Sequence, residues 1–459
     1  MKKYILLFIL IMTGCDELKE LEGNLSTEVN QSSEEISIKA EDSLYASLLI
    51  EESTREEPLI EGRELDEFNE TKVYKEKPLI GNKKVDGLKE TKNYSDTELT
   101  ALIGNMFIVG FYGTNINTKS QIVKDIEKYH IGGVILFDKH PSKRGKSKNI
   151  KNPTQLKNLT KKLQNYSSYP LLIATDQEGG KVARLKIKTG FKTNYPSAKD
   201  IATKYKIKTI EKIYDDMGKT LANAGINLNF APSVDMEINP KNIVIVKLKR
   251  SYGKDPKRVV MFSKIFIEAM HNNNILTSLK HFPGHGSSKG DTHKGFVEIT
   301  NFWKEEELEP YKILIEDNFV DTIMIAHVFN KKIDEKYPSS LSHKTVTKKL
   351  REEMGYKGVV VTDDLQMYAI SKHFSLQETI KLSINAGVDL LLFGNQLDPK
   401  NIISVKKLVE TTLSLVKSEE IQVQTLIDAN HRINNLKEKL SYNYKNKLEQ
   451  KEKEWNIVE

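Results

Sequence analysis

The sequence predicts an α/β protein whose globular part is a single (β/α)8 TIM-like barrel. Short apolar runs rich in β-branched residues recur along the chain, and stretches with helical periodicity separate them. This pattern extends over about residues 95–440, which leaves room for one large domain with insertions. Eight strands alternating with helices favour a closed parallel barrel, and a doubly wound open sheet is the alternative.

The predicted strands are short and bounded by turn residues. They are Met106–Phe111, Gly133–Phe137, Pro170–Thr175, Asn227–Ala231, Leu276–Lys280, Thr322–Ala326, Gly358–Thr362 and Asp389–Phe393. The predicted helices are Gln121–Tyr129, Thr154–Gln164, Thr209–Ala224, Arg258–Asn273, Lys304–Asp317, Ser342–Met354, Leu376–Ala386 and Ile402–Val416. Two polar stretches without periodicity, Lys139–Asn152 and Glu237–Pro256, are interpreted as insertions into the barrel.

The N-terminus has the pattern of an export signal. A basic start, Met1–Lys3, precedes an apolar run from Tyr4 to Met12, which is too short to span a membrane. Cys15 follows a Thr-Gly pair and is the only cysteine, as in a bacterial lipoprotein signal that is cleaved so that this cysteine carries lipid. We therefore expect residues 1–15 to be removed and the protein to be a membrane-anchored lipoprotein of the cell envelope. Ordinary secretion with an incidental cysteine is the alternative.

Charge is distributed unevenly along the chain. Residues 16–70 hold 18 Asp and Glu against four Lys and Arg, a balance of −14, whereas the whole chain is +7. We predict a disordered acidic tether over residues 16–94 and a charged tail over residues 441–459. The excess lysine is spread over helical segments without interleaved aromatics, so nucleic-acid binding is not expected. We expect a monomer.

Ionisable side chains follow five of the predicted strands. In a barrel enzyme, catalytic residues lie where strands end and the following loops begin, so these segments converge on one rim. The segments are Asp176–Arg184, Pro232–Asp235, Lys280–Gly286 with Asp291–His293, His327, and Asp363–Asp364.

These residue types can perform acid–base and nucleophilic chemistry. An aspartate such as Asp363, held among cations at a strand end, stays ionised and can attack an electrophilic carbon. His293 can deliver and remove a proton near neutral pH, and Asp291 can hold its tautomer. Arg184 and Lys280 have long side chains that can donate hydrogen bonds to sugar hydroxyls or to a carboxylate. Arg250, which lies outside the five segments, is a third donor of this kind.

Two motifs carry a resemblance to a known family. Residues 280–286, KHFPGHG, followed by Asp291-Thr292-His293, resemble the signature of glycoside hydrolase family 3. More narrowly, they resemble its N-acetyl-β-glucosaminidase (β-N-acetylhexosaminidase) branch, which has Asp-Ser-His where this chain has Asp-Thr-His. Residues 360–367, VVTDDLQM, are similar to that family's nucleophile strand. Residues 176–184 and 250–256, DQEGGKVAR and RSYGKDP, resemble two further family segments.

The resemblance implies a retaining glycosidase without a cofactor or metal. Asp363 would be the nucleophile, His293 the general acid/base, and Asp291 its partner. By the same analogy the N-acetylglucosamine ring would be bound by a set of five residues, Asp176, Arg184, Arg250, Lys280 and His281.

Several of these residues also have ordinary structural interpretations. His281, His285, Asp291 and His293 could be zinc ligands, but Pro283 and Gly284 break the helix that a helical zinc motif needs. We expect His285 to bond the loop backbone and Asp364 to cap the following helix. His327 is either a satisfied rim histidine or part of the site. Asp235 either bonds the loop or contacts substrate.

Three classes of function remain open. The first is an exo-acting β-N-acetylglucosaminidase, acting on peptidoglycan fragments or chitin oligosaccharides. The second is a related phosphorylase, because a neutral histidine repels incoming phosphate less than a carboxylate does. The third is a non-catalytic sugar-binding lipoprotein of the envelope, for which an intact Asp363, Asp291 and His293 would have no use.

Overall fold

The computed structural model describes the backbone of residues 94–455 and the side chains of residues 94–440. Cys15, the predicted signal peptide and the predicted acidic tether lie outside the described residues, except for Tyr94. Over the described part of the chain, every helix is too short or too polar to cross a lipid bilayer.

In the described chain, one parallel sheet curls into the barrel. Its strands are β1 (Phe107–Gly110), β2 (Gly133–Ile135), β3 (Leu172–Thr175), β4 (Leu228–Asn229), β5 (Leu276–Phe282), β7 (Thr322–Ile325), β9 (Val359–Thr362) and β10 (Leu391–Phe393). They pair in the order β10-β1-β2-β3-β4-β5-β7-β9. A parallel bridge between Val361 and Leu390 joins the two ends of this order, and Thr362 N donates to Leu390 O at 3.0 Å. The predicted α/β barrel is confirmed, and the open sheet is excluded.

Helices surround the sheet. They are α1 (Asp96–Asn105), α2 (Gln121–Tyr129), α3 (Pro153–Tyr166), α4 (Ala198–Lys204), α5 (Ile207–Asn223), α6 (Pro256–His271), α7 (Glu309–Glu316), α8 (Tyr368–Ser371), α9 (Leu376–Ala386), α10 (Val405–Lys417) and α11 (Val423–Trp455). Local sequence sets their limits. At α9, Ser375 and Glu378 form a reciprocal capping box, and Gly387 ends the helix with φ +100°.

Two predicted helices are not regular α-helices throughout. The segment predicted as Lys304–Asp317 begins as a 3-10 turn, Glu305–Leu308, before α7 starts. Pro310 explains the change, because it lacks an N–H and is accommodated in the first turn of a new helix. The segment predicted as Ser342–Met354 winds as a π-helix over Lys344–Glu353. The described contacts do not explain this wider winding.

A small second sheet supports the loop after β5. Its strands are β6 (Val297–Glu298) and β8 (Val328–Phe329), which pair in parallel. Because β6 lies a few residues beyond His293 and β8 follows β7, this sheet fixes the far end of the loop above the barrel. Its near end is fixed by β5 itself.

Candidate active site

The carboxyl ends of the barrel strands bring the predicted site residues to one mouth. Asp176 follows β3, Asp235 follows β4, Lys280 and His281 lie in β5, and Asp363 follows β9. Arg250 comes from the long irregular segment before α6, whose Asn242 donates to His285 O at 2.8 Å. The predicted insertion is therefore packed against the mouth.

A network of cations and carboxylates lies in this mouth. Lys280 Nζ contacts Asp176 Oδ1 at 3.0 Å and Glu178 Oε1 at 2.7 Å. Arg184 Nη2 donates to Asp176 Oδ2 at 2.9 Å. Arg250 makes a bidentate pair with Glu178, with Nε–Oε2 and Nη2–Oε1 both at 2.8 Å. The bidentate pair holds the guanidinium of Arg250 in a fixed orientation.

Glu178 is a site residue that the sequence prediction did not assign. Burial alone would raise the pKa of Glu178, but Arg250 and Lys280 lower it to about 2, so the group stays ionised. The signal in the sequence was its position two residues after Asp176, because side chains two apart in an extended segment share a face.

Asp235 holds the segment that contains His281 and His285. Its Oδ2 lies 2.7 Å from His281 Nδ1, and its Oδ1 accepts the backbone N–H groups of His281 (3.2 Å) and His285 (2.7 Å). Burial would raise the pKa of Asp235, but His281 holds it well below the usual range. Because Arg250 Nη2 donates toward His281 Nε2 at 3.2 Å, the ring proton of His281 lies on Nδ1 and points at Asp235.

His285 is bound within its own loop. Its Nδ1 lies 2.7 Å from Ser288 Oγ. Burial and the nearby His281 lower the pKa of His285 to about 4, so its imidazole is neutral at pH 7. These contacts are those of a side chain that shapes the loop.

Asp363 lies at the end of β9 among three histidines. Its Oδ1 accepts the backbone N–H of Asp364 at 2.8 Å. Burial would raise the pKa of Asp363, but His327, His281 and His293 hold it below its usual value. The carboxylate is therefore ionised at neutral pH and available for attack.

His327 is completely buried beneath Asp363. Its Nε2 lies 2.9 Å from the carbonyl oxygen of Asp364, and its Nδ1 lies 2.7 Å from Ser340 Oγ. Since the carbonyl can only accept, Nε2 carries the proton, and burial lowers the pKa of His327. The ring supports the loop that carries Asp363 through its bond to the Asp364 carbonyl oxygen.

The prediction that Asp364 caps a helix is wrong. Helix α8 begins after Met367 without a side-chain cap. Asp364 Oδ1 instead accepts the backbone N–H groups of Gln366 and Gly394, both at 3.1 Å, and so joins the loops after β9 and β10. Burial raises the pKa of Asp364 to about 6. The side chain of Asp364 is held in this position by the two backbone N–H groups that donate to it.

His293 and Asp291 form a pair on the loop after β5. Asp291 Oδ1 lies 2.8 Å from His293 Nδ1 and accepts the backbone N–H of His293 at 2.9 Å. Burial lowers the pKa of His293, but Asp291 and the more distant Asp363 together raise it above the ordinary value. The imidazole is 43% exposed, so a substrate can reach it. Ala369 N donates to Thr292 O at 3.2 Å, which ties this loop to α8.

The four residues considered as zinc ligands have other partners. His281 contacts Asp235 and Arg250, His285 contacts Ser288, and Asp291 contacts His293. Within residues 94–440, no three His, Cys, Asp or Glu side chains gather in an arrangement that could hold a metal ion.

The family comparison agrees with this site. Residues 96–436 match the model of the glycosyl hydrolase family 3 N-terminal domain, which is well over half of the chain. The chain belongs to glycosyl hydrolase family 3. The resemblance inferred from the motifs is thus confirmed, as is the class of enzyme, a glycoside hydrolase acting on O-glycosyl bonds.

Relatives within the family carry hexosaminidase names. Beta-hexosaminidase A of Pseudoalteromonas piscicida is 32% identical over 345 residues, 69% of this chain and 54% of that protein. The beta-hexosaminidase of Tolumonas auensis is 32% identical over 277 residues, 58% of this chain and 76% of that protein. The chain thus spans about half the length of the first relative and three quarters of the second.

A solved structure supports the same placement in the family. A glycoside hydrolase family 3 beta-N-acetylglucosaminidase from Paenibacillus sp. str. FPU-7 aligns with a TM-score of 0.66 at 30% identity. The alignment covers 75% of this chain and 62% of that one.

Proposed function

We propose that this family 3 member is a retaining, exo-acting β-N-acetylglucosaminidase. It removes N-acetylglucosamine from peptidoglycan fragments or chitin oligosaccharides. The observation that carries the proposal is the presence, at one barrel mouth, of an ionised Asp363 and a His293–Asp291 pair. The names of the hexosaminidase relatives support the choice of sugar.

The cation–carboxylate network binds the terminal sugar. Lys280 and Arg250 have little exposed surface (3% and 12% of their side chains), so their pairs with Asp176 and Glu178 are shielded from solvent. Because these donors are already held in position, they need little rearrangement when a hydroxyl of the sugar ring replaces water. His281, whose orientation Asp235 and Arg250 set, completes the group of residues that face the ring.

In the first step, an Asp363 oxygen bonds to the anomeric carbon as the glycosidic bond breaks. Protonated His293 gives its proton to the departing oxygen and becomes neutral. Asp291 keeps the ring oriented and stabilises its charged form before transfer.

In the second step, water attacks the anomeric carbon and the bond to Asp363 breaks. Neutral His293 takes a proton from that water and returns to its charged form. Two inversions at one carbon leave the product with the β configuration of the substrate.

Proton NMR of the first-formed product tests this proposal. With chitotetraose in phosphate-free buffer, we expect β-N-acetylglucosamine and chitotriose to appear first. Chitobiose formed as a first product would contradict exo action, and an α-anomer formed first would contradict retention. A sugar phosphate formed only in phosphate buffer would identify a phosphorylase. Binding of chitotetraose without turnover would identify a sugar-binding protein.

We also propose export and anchoring through a lipid on Cys15, which rests on the N-terminal sequence alone. Cys15→Ser should release the protein from the membrane fraction of the host cell. Membrane retention of a Cys15→Ser variant whose signal has been cleaved would contradict the anchor.

A further inference from the structure

Lys148 is a buried lysine that has no part in the two steps of the proposed reaction. It lies in the loop after β2, and only 1% of its surface is exposed. Its Nζ donates to the carbonyl oxygens of Gly394 at 2.8 Å and of Asn395 at 2.7 Å, both directly after β10. Burying an amino group is costly unless it is bonded, and these two bonds compensate for the burial. They also hold the loop after β10 against the loop after β2.

Two aromatic rings enclose the same side chain. Nζ of Lys148 lies 4.7 Å from the ring centroids of both Tyr112 and Phe137. Burial lowers the pKa of Lys148 to about 7, and the charge of Asp364 opposes this shift. Within residues 94–440, no carboxylate forms an ion pair with Lys148. The lysine is therefore held by carbonyl oxygens and rings, in a single place.

A series of hydrogen bonds leads from Lys148 to the proposed nucleophile. Gly394, whose carbonyl oxygen accepts from Lys148, donates its N–H to Asp364 Oδ1 at 3.1 Å. Asp364 in turn donates its backbone N–H to Asp363 Oδ1 at 2.8 Å. Among the described residues, this is the one hydrogen bond that the Asp363 carboxylate accepts. The position of Asp364 N therefore sets the orientation of the carboxylate.

The contact between Gly394 and Asp364 is too tight to absorb a shift. A Cβ atom on Gly394 would lie 2.5 Å from Asp364 Oδ2, which is shorter than a van der Waals contact. His327 Nε2 lies 2.9 Å from Asp364 O, so the backbone of Asp364 is held as well as its side chain. Because protein interiors are close-packed, a displacement of the loop after β10 is passed on to Asp364.

We propose that Lys148 is a positioning residue for the nucleophile. It fixes the loop after β10 through the carbonyl oxygens of Gly394 and Asn395, and this position reaches Asp363 through Asp364. Lys148 is too deeply buried to contact a substrate, so it acts only on the direction from which Asp363 approaches the anomeric carbon. The inference rests on the proposed function, because it takes Asp363 as the nucleophile.

The variant Lys148→Met tests this proposal. Methionine fills a similar volume but has no donor, so two carbonyl oxygens lose a bond and the loop can shift. A displaced nucleophile slows its own attack, whatever the leaving group. We expect kcat/KM to fall by about 10- to 10²-fold on chitotetraose and on an aryl N-acetylglucosaminide alike. The inhibition constant of N-acetylglucosamine, which measures binding of the sugar, should stay close to that of the wild type.

A second buried lysine gives a matched control. Lys437 of α11 is 4% exposed, its Nζ donates to Asn105 Oδ1 at 2.7 Å, and it lies 4.9 Å from the ring centroid of Tyr169. Burial lowers its pKa to about 7, as at Lys148. Asn105 precedes β1, so this lysine lies at the amino end of the barrel. Lys437→Met also removes a buried donor, but kcat/KM of the folded fraction should stay close to that of the wild type.

A milder variant serves if Lys148→Met does not fold. Tyr112 Oη donates to Asn395 O at 2.8 Å, so it holds the same loop from a partly exposed position. Tyr112→Phe removes this bond and keeps the ring beside Lys148. It should lower kcat/KM on both substrates by about 2- to 10-fold, the range for one hydrogen bond, without changing the inhibition constant.

The outcomes separate this proposal from the proposed function. A kcat/KM for Lys148→Met that equals that of Lys437→Met would overturn the positioning role. A fall matched by an equal rise in the inhibition constant, or confined to chitotetraose, would overturn it too. If Lys148→Met does not fold, an unchanged kcat/KM in Tyr112→Phe has the same meaning. In each of these cases the wild type still turns over both substrates and the glycosidase stands, whereas no turnover by the wild type would overturn the proposed function.

Discussion

A buried aspartate at the amino end of the barrel and the partly buried Asp363 at its carboxyl end are bonded in different ways. At the amino end, Asp389 precedes β10 and accepts bonds from Arg351 Nη2 (2.7 Å), Val360 N (2.8 Å) and Arg432 Nε (2.9 Å). At the carboxyl end, the carboxylate of Asp363 accepts a single bond from within the described residues, that of Asp364 N. The first is saturated by fixed donors, and the second keeps lone pairs for a reacting atom.

Asp321 repeats the pattern of the amino end. It precedes β7 and accepts bonds from Thr277 N and Thr277 Oγ1, both at 2.9 Å, and lies 2.6 Å from His271 Nε2. Burial would raise the pKa of Asp321, but His271 and Lys439 hold it well below the usual range. Asp363 is also ionised but accepts fewer fixed donors, so the number of fixed donors separates a structural carboxylate from a reactive one.

Removing the charge at the carboxyl end should have the largest effect. Asp363→Asn keeps the shape of the side chain but cannot attack carbon, so kcat should fall by a factor on the order of 10⁶ on disaccharides and aryl glycosides alike. Stopped assays with an aryl N-acetylglucosaminide measure this loss. Asp364→Asn is the matched control and should be far milder. The reverse ranking would mean that the nucleophile is the neighbouring residue.

The acid on the loop should give a smaller effect that depends on the leaving group. His293→Ala should lower the rate on a disaccharide by about 10²–10⁴-fold, because a sugar alkoxide needs a proton as it leaves. A nitrophenolate departs without that help, so its first step suffers less and the glycosyl-enzyme accumulates as a burst. Asp291→Asn should act in the same direction, more weakly. An equal loss on both substrates without a burst would assign the proton to another group.

At the amino end the effect should appear in stability and not in chemistry. Asp389→Ala removes the carboxylate that pairs with two partly buried arginines, Arg351 and Arg432, so the free energy of unfolding should fall by about 3–5 kcal/mol. Urea unfolding measures the change, and kcat of the folded fraction should stay close to that of the wild type. The exposed pair of Asp96 with Lys417 (2.7 Å) gives the control, since Asp96→Ala should cost about 1 kcal/mol or less. A large loss of kcat in Asp389→Ala would end the distinction between the two ends.

The pH profile should give the smallest but sharpest difference. The first step needs Asp363 ionised and His293 protonated. Because Asp291 raises the pKa of His293 above about 6.5, activity should persist to a higher pH than for an ordinary histidine and fall as the pH rises through that pKa. Asp291→Asn removes the cause, so the alkaline limb of kcat/KM should move to lower pH. An unmoved alkaline limb would show that another group sets it.

The sequence predicted those parts of the molecule that depend on local patterns. A polar residue directly follows the apolar run Val359–Thr362, and this pattern predicted that Asp363 lies at the mouth. The spacing of Asp291 and His293 likewise predicted their pairing, and Asp291 Oδ1 lies 2.8 Å from His293 Nδ1. Both features arise within a few residues of chain.

Contacts between distant segments could not be read from the sequence. Glu178 receives Arg250 and Lys280 from two other parts of the chain, so its role appears only after folding. Lys148, in a predicted insertion, donates from Nζ to the carbonyl oxygens of Gly394 (2.8 Å) and Asn395 (2.7 Å). The side chain of Asp364 likewise contacts the loop after β10, where Gly394 N donates to it. A sequence pattern for helix caps does not predict such a contact between distant segments.

The pairing of β1 with β10 determines when the protein can fold. Phe107 pairs with Leu391, so the first barrel strand stays an unpaired edge until nearly the whole chain has been made. Arg432 and Lys439 of α11, which hold Asp389 and Asp321, emerge from the ribosome later still. A chain with so many contacts between distant residues folds slowly. Under the export proposed above, this delay would keep the chain unfolded during synthesis, and the barrel would close after translocation.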